Sequence, residues 1–206
     1  VIRIFDKSVT AADLDFIGFS AEGMLIWNNL HWPAQGLILV TGPTGQGNAT
    51  TLYTTLSLVA TSDGNICTAE DPLEMKVDAL NQVQVNPQIG VTFAECIRSF
   101  LRQDPDIIMV GEIRDLETGE MAIQSSLTGH LVFSTLHTND ALATIQRLID
   151  LGIPTYLLNS SISGTLAQRL VKRLCPSCKY LVPSDQNKWA SLVDGEKIEE
   201  VLRVVD

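Results

Sequence analysis

The sequence predicts an α/β fold built on a largely parallel sheet. Strand-like apolar runs alternate with helix-period patterns along the chain. Several of those runs are continuously apolar, as strands buried on both faces must be. A glycine-rich turn joins one such run to a helix. The chain has 206 residues, 45% hydrophobic and 18% charged, enough for a sizeable core and too apolar for a disordered polymer.

Taken in order, Val1-Ile2-Arg3-Ile4-Phe5-Asp6-Lys7 reads as a strand, and the charge at Arg3 interrupts any secretory leader. Residues 24–32 read as a helix feeding the first central strand at 37–41. The other central strands are expected at 65–69, 106–110 and 130–134. Helices are expected at 49–61, 92–103, 116–127, 141–150 and 156–173, with Asp140 and Thr155 as caps of the last two. From Ser184 onward the chain turns polar and acidic, with one amphipathic stretch at 189–193. A start at Val1 rather than Met reads as a piece of a larger protein.

Charge narrows the function classes. Lys and Arg number 14 against 24 Asp and Glu, a formal charge of −10. A general nucleic-acid or anionic-membrane binder would instead carry a basic face. No apolar run reaches the roughly 18 residues of a membrane span. The four cysteines, Cys67, Cys96, Cys175 and Cys178, are too few and scattered for a disulfide framework. The expectation is a soluble, cytosolic chain that binds no nucleic acid.

The segment Thr41-Gly42-Pro43-Thr44-Gly45-Gln46-Gly47-Asn48-Ala49-Thr50-Thr51 follows a buried strand and opens a helix. That is the setting of a phosphate loop, whose glycines let backbone N–H groups converge on an anion at a helix N-terminus. The pattern G-x-x-x-x-G-K-[ST] is met at Gly42 and Gly47. Asn48 stands where the lysine belongs and Ala49 where the Mg²⁺-binding hydroxyl belongs. Thr50 and Thr51 do not simply take over, because each helical step turns a side chain by about 100°. Backbone cradling survives these changes, so binding can persist where turnover does not. A glycine turn of purely structural use is the competing reading.

Four blocks, in order, resemble the secretion ATPase superfamily, the motor ATPases of type II secretion and type IV pilus assembly. They are the phosphate loop continuing into Thr50-Thr51-Leu52-Tyr53, the acidic box Ala69-Glu70-Asp71-Pro72-Leu73-Glu74, the Walker B region 106–115 with Gly111-Glu112-Ile113-Arg114-Asp115, and the histidine box from Thr128-Gly129-His130 to His137-Thr138-Asn139. The resemblance covers about residues 1–178. It implies a RecA-like P-loop core at 36–173, a lead-in at 1–35 and a truncated cysteine-bearing element at 174–206. It also implies ATP and Mg²⁺, a homo-hexameric ring, inner-membrane platform proteins as partners, and a cytoplasmic place at the inner membrane.

Residue by residue, the resemblance makes Gly42, Pro43, Thr44, Gly45, Gln46, Gly47, Asn48, Ala49 and Thr50 the phosphate-binding loop. Glu112 becomes the water-activating carboxylate; it lies just past the C-terminal end of an apolar strand, where α/β folds place ligands. Glu70 and His137 fall to the γ-phosphate region, and a solvated acidic turn is the plainer reading of Glu70, Asp71 and Glu74. His130 and His137, with Ser134, Thr135, Thr138 and Asn139, read as one polar cluster able to sense a phosphate. Arg98 and Arg102, four apart on one helix face, read either as a phosphate grip or as ion-pair partners of Glu95 or Asp104.

Cys175-Pro176-Ser177-Cys178 reads as a redox pair or half of a zinc site. Structural zinc takes four ligands, so Zn²⁺ needs a second C-x-x-C that this chain lacks. By resemblance the motif points to the secretion and pilus-assembly branch. Against the motor ATPase stand two other readings. One is a nucleotide-binding pseudoenzyme, resting on Asn48 and Ala49; the other is a nucleic-acid translocase, disfavoured by the charge.

Overall fold

Continuous apolar runs form the middle of one parallel sheet. The computed structural model describes residues 14–31, 35–61, 64–172, 174–175, 177–183 and 200–204. The strand expected at 1–7 and the amphipathic stretch at 189–193 lie outside the described residues. The central strands are β1 (Gly36–Thr41), β2 (Ile66–Glu70), β4 (Ile107–Val110) and β5 (Leu131–Leu136). Every residue of β1, β2 and β5 is buried, which explains why they lack the polar alternation of half-exposed strands.

Two further strands close the sheet, β3 (Asn81–Gln84) and β6 (Ile162–Ala167), in the order β3-β2-β4-β5-β1-β6. All five pairings are parallel. Successive side chains of a strand point to opposite faces. Leu37 and Leu39 accordingly enter one core with Ile108, Val110 and Val132, while Ile38 and Val40 enter the other with Met109, Leu131 and Phe133. The first core is covered by α3 (Phe93–Phe100) and α4 (Leu116–Leu127), the second by α1 (Ala21–His31) and α2 (Asn48–Val59). Helix α5 (Ala141–Asp150) and the short α6 (Thr155–Ser161) complete this unit.

Side-chain caps set several helix starts. Thr92 accepts the Glu95 N–H at 3.2 Å, Asp115 the Thr118 N–H at 2.8 Å, and Asp140 the Ala143 N–H at 2.7 Å. Thr155 is not a cap; it is the first residue of α6, preceded by Pro154, whose position makes no side-chain cap bond.

The expected helix at 156–173 is corrected: it ends at Ser161 and the chain continues as β6. Leu158, Ile162, Leu166 and Leu170 do repeat at helical spacing. The open edge of β1 decides otherwise, pairing in parallel with Ile162 to Ala167. Gly164 suits this place, because a Cβ there would lie 2.7 Å from the Leu30 methyls of α1.

The chain divides into two units, Val1–Arg169 and Leu170–Asp206. The second contains an antiparallel pair, β7 (Lys179–Pro183) with β8 (Glu200–Val204). No helix among the described residues is long and apolar enough to cross a membrane.

Candidate functional site

The phosphate-loop segment leaves β1 through left-handed backbone. Gly45 has φ +82° and Gly47 φ +84°, a conformation that side chains resist. Gly47 is the N-cap of α2, so the first turn of that helix begins at the loop. Gly42 is fixed by crowding as well: a Cβ there would lie 2.4 Å from the Gln168 carbonyl oxygen. Below the loop, Thr41 Oγ1 lies 2.8 Å from the Leu136 carbonyl oxygen and accepts the Thr138 N–H at 3.1 Å. The ends of β1 and β5 are thereby tied together.

Beside the loop, the C-terminal ends of β2, β4 and β5 open on a cavity of about 250 Å³. Thr44, Asn48 and Ala49 line it on the loop side; Glu70, Asp71, Glu74, Glu112, Arg114 and His137 line it elsewhere. Among the described residues, four carboxylates line the cavity and Arg114 is its one Lys or Arg.

Glu112 lines the cavity from just past the end of β4. Its carboxylate is nearly buried, and Oε1 pairs with Arg114 Nη2 at 2.5 Å. Oε2 has no hydrogen-bond partner and sits 3.6 Å from His137 Nε2. One oxygen is therefore held by Arg114, and the other is buried without a hydrogen-bond partner. Thr135 donates to the Gly111 carbonyl at 2.6 Å, and Ile113 N–H donates to the Thr135 carbonyl at 3.1 Å. These bonds fix the backbone on both sides of Glu112.

Glu70 is buried and saturated by its own fold. It accepts from Tyr53, from Thr68 at 2.5 Å and from Gln82 at 3.1 Å. Burial, followed by the bond to Glu70, raises the Tyr53 hydroxyl far above its ordinary range, so it remains a donor. Tyr53 lies in α2, which makes this bond a direct tie between the loop's helix and the acidic box.

The loop residues by themselves fit an anion better than a metal ion. Three loop glycines of positive φ leave room for close backbone approach to phosphate oxygens. Asn48 does not extend as a lysine would. Its Nδ2 donates to the Gly42 carbonyl at 3.4 Å, and its buried Oδ1 has no hydrogen-bond partner. Ala49 offers a methyl group where the loop's Mg²⁺ hydroxyl belongs. The loop therefore holds no Mg²⁺ ligand at that position.

Other expected site residues lie elsewhere. Arg98 pairs with Glu95 and, at 2.7 Å, with Glu117; Arg102 reaches Ser99 Oγ at 3.4 Å. Neither arginine lines the cavity. The expected histidine cluster is corrected. His130 precedes β5 and contacts the Ser125 carbonyl at 3.0 Å, whereas His137 follows β5. Six strand residues, about 20 Å, separate the two. Cys175 is exposed, and N–H donation from Ser177 and then Cys178 pulls its thiol below the ordinary range. Among the described residues no group of three or more His, Cys, Asp and Glu could hold a metal ion, so zinc has no support here.

Two residues were missed by sequence reasoning. Arg114 was quoted in a motif without a role, though its charge next to Glu112 was visible. Gln168 gave no local signal, yet it accepts from Thr51 Oγ1 at 2.6 Å and donates to the Gln46 carbonyl at 2.9 Å.

Comparison with known proteins agrees with this architecture. The family model described as Type II/IV secretion system protein matches residues 1–201. The type IV pilus assembly ATPase TfpB of Acinetobacter baylyi is 50% identical over 198 residues, covering 96% of this chain and 34% of that protein. The type II secretion system ATPase E of Vibrio cholerae is 50% identical over 202 residues, covering 98% of this chain and 40% of that protein. This chain thus spans well under half the length of either relative. Among solved structures, the pilus retraction motor PilT with bound ADP superposes with a TM-score of 0.66 at 33% identity, covering 93% of this chain and 51% of that one. The six-stranded parallel sheet is that of the RecA-like P-loop ATPases. Fold, motif order and half-identity over nearly the whole chain lead to one conclusion: it belongs to the Type II/IV secretion system protein family.

Proposed function

We propose that this chain is the nucleotide-binding core of a motor ATPase for type II secretion or type IV pilus assembly. One observation carries the reading. Four strand ends bring the phosphate loop, Glu70, Glu112 and His137 to a single cavity. In this reading the loop backbone holds the phosphates of ATP, and Glu112 orients and deprotonates the attacking water through Oε2. Arg114 holds the other Glu112 oxygen, and His137 flanks the reacting region. The core works in a ring of six copies at the cytoplasmic face of the inner membrane, moving a platform protein.

Asn48 and Ala49 favour a second element of the proposal: this chain binds ATP and turns it over poorly on its own. The folded-back amide supplies no charge, and no loop hydroxyl is available to Mg²⁺. A hydrogen bond to a charged group contributes about 1.5–3 kcal/mol, or roughly ten- to hundredfold in affinity or rate. The test is a titration with a fluorescent ATP analogue, with and without Mg²⁺, coupled to an ATPase assay. The unchanged chain is expected to bind alike in both conditions without turnover. Asn48→Lys with Ala49→Thr should gain Mg²⁺-dependent affinity and hydrolysis, and adding Glu112→Gln should remove the hydrolysis while sparing binding. If neither protein binds, the loop is structural and the reading fails.

A further inference from the structure

We propose that Gln168 is a positioning residue that sets the phosphate loop in its anion-binding conformation. The inference rests on the proposed nucleotide-binding role and adds a residue to it. Gln168 directly follows β6, and its backbone N–H donates to the Thr41 carbonyl at 2.8 Å, extending the β6–β1 pairing by one bond. Its carbonyl oxygen occupies the space that a side chain at Gly42 would need. Its amide spans two points of the loop and helix: Oε1 accepts from the buried Thr51 hydroxyl, and Nε2 donates to the Gln46 carbonyl.

The second of these bonds has a directional consequence. The Gln46–Gly47 peptide is trans, so the Gln46 C=O and the Gly47 N–H point in opposite directions. Holding the carbonyl toward Gln168 turns the Gly47 N–H away from it. Gln168 does not line the cavity that Thr44, Asn48 and Ala49 line. Its hold on the Gln46 carbonyl fixes the direction of the Gly47 N–H. Without a lysine at position 48, backbone N–H groups are the loop's main means of holding a phosphate, so their orientation governs affinity.

The two halves of the amide can be separated by substitution. Gln168→Glu keeps an acceptor for Thr51 and loses the donor to Gln46. Thr51→Val removes only the Thr51 bond, and Gln168→Met removes both side-chain bonds at similar length. Each full-length variant is titrated with the fluorescent ATP analogue, and its unfolding midpoint is measured without nucleotide. Gln168→Glu and Gln168→Met are expected to bind at least tenfold more weakly than the parent. Thr51→Val should lower the midpoint while losing less than threefold in affinity. A purely structural role would make affinity loss follow the midpoint across all three variants, and that result overturns the proposal. So does parental affinity in Gln168→Glu, or in Gln168→Met where the glutamate variant does not fold. A parent that binds no analogue overturns the nucleotide-binding reading itself, and this inference with it, so the two failures are distinguishable.

Discussion

At the scale of single residues, the buried pair of Tyr53 and Glu70 gives the clearest stability signature. The phenol is kept protonated by its burial and by the adjacent carboxylate. Its folded-state pKa is raised above the ordinary value of 10.0, so its contribution is complete below that pH and is lost as pH rises beyond it. The unfolding midpoint of the parent should therefore drop above about pH 10. Tyr53→Phe should lower stability near neutrality by about 1.5–3 kcal/mol, since Glu70 loses a donor, and should show a shallower alkaline fall. Thermal unfolding across pH 7–11 reads both effects, and parallel profiles would show that Tyr53 is not the titrating group. Motif spacing made the loop glycines visible in the sequence, and Glu112 and His137 stood out only through the resemblance of their blocks to the secretion ATPases. Tyr53 and Gln168 were not visible in these roles, because each acts through a partner that only the fold brings near: Glu70 is 17 residues from Tyr53, and Thr51 is 117 from Gln168.

Elements obey the same division between local and distant information. Strands β1, β2, β4 and β5 were legible because burial on both faces writes itself as an unbroken apolar run. Strand β3 was not, since Asn-Gln-Val-Gln at a sheet edge carries no such run. Strand β6 was misread as helix because its leucine and isoleucine spacing fits both periods, and pairing with β1 settles the matter from outside the segment. Its close packing on α1 is testable. Gly164→Ala places a methyl against both methyls of Leu30 and should cost about 1–3 kcal/mol, as overpacking does. Leu30→Ala in the same chain should recover part of that loss. A denaturant series on the single and double variants measures the coupling, and simple additivity would mean that the two residues do not touch.

For the molecule as a whole, sheet order matters more than sequence order. The loop-bearing strand β1 sits between β5 and β6, and both partners come from the far half of the chain. A chain ending at Ser161 would leave one side of β1 unpaired, with bare N–H and C=O groups along a buried, apolar-rich strand. Such an edge templates association with other chains. Light scattering should show this truncated chain growing without limit as concentration rises while the 206-residue chain stops at a defined oligomer, and equal scattering would mean that β6 is dispensable as a cover.

The strap on the phosphate loop also has a meaning in time. Gln168 follows Gln46 by 122 residues, so at about 5–20 residues per second the newly made loop waits roughly 6–24 s for it. Until then the glycines are free to sample many conformations, and the apolar ladder beside them has no neighbour on one side. The ribosome therefore delivers the loop-bearing half of this core first and its fastening last, and the interval between them is when the nascent chain most needs shelter from wrong partners.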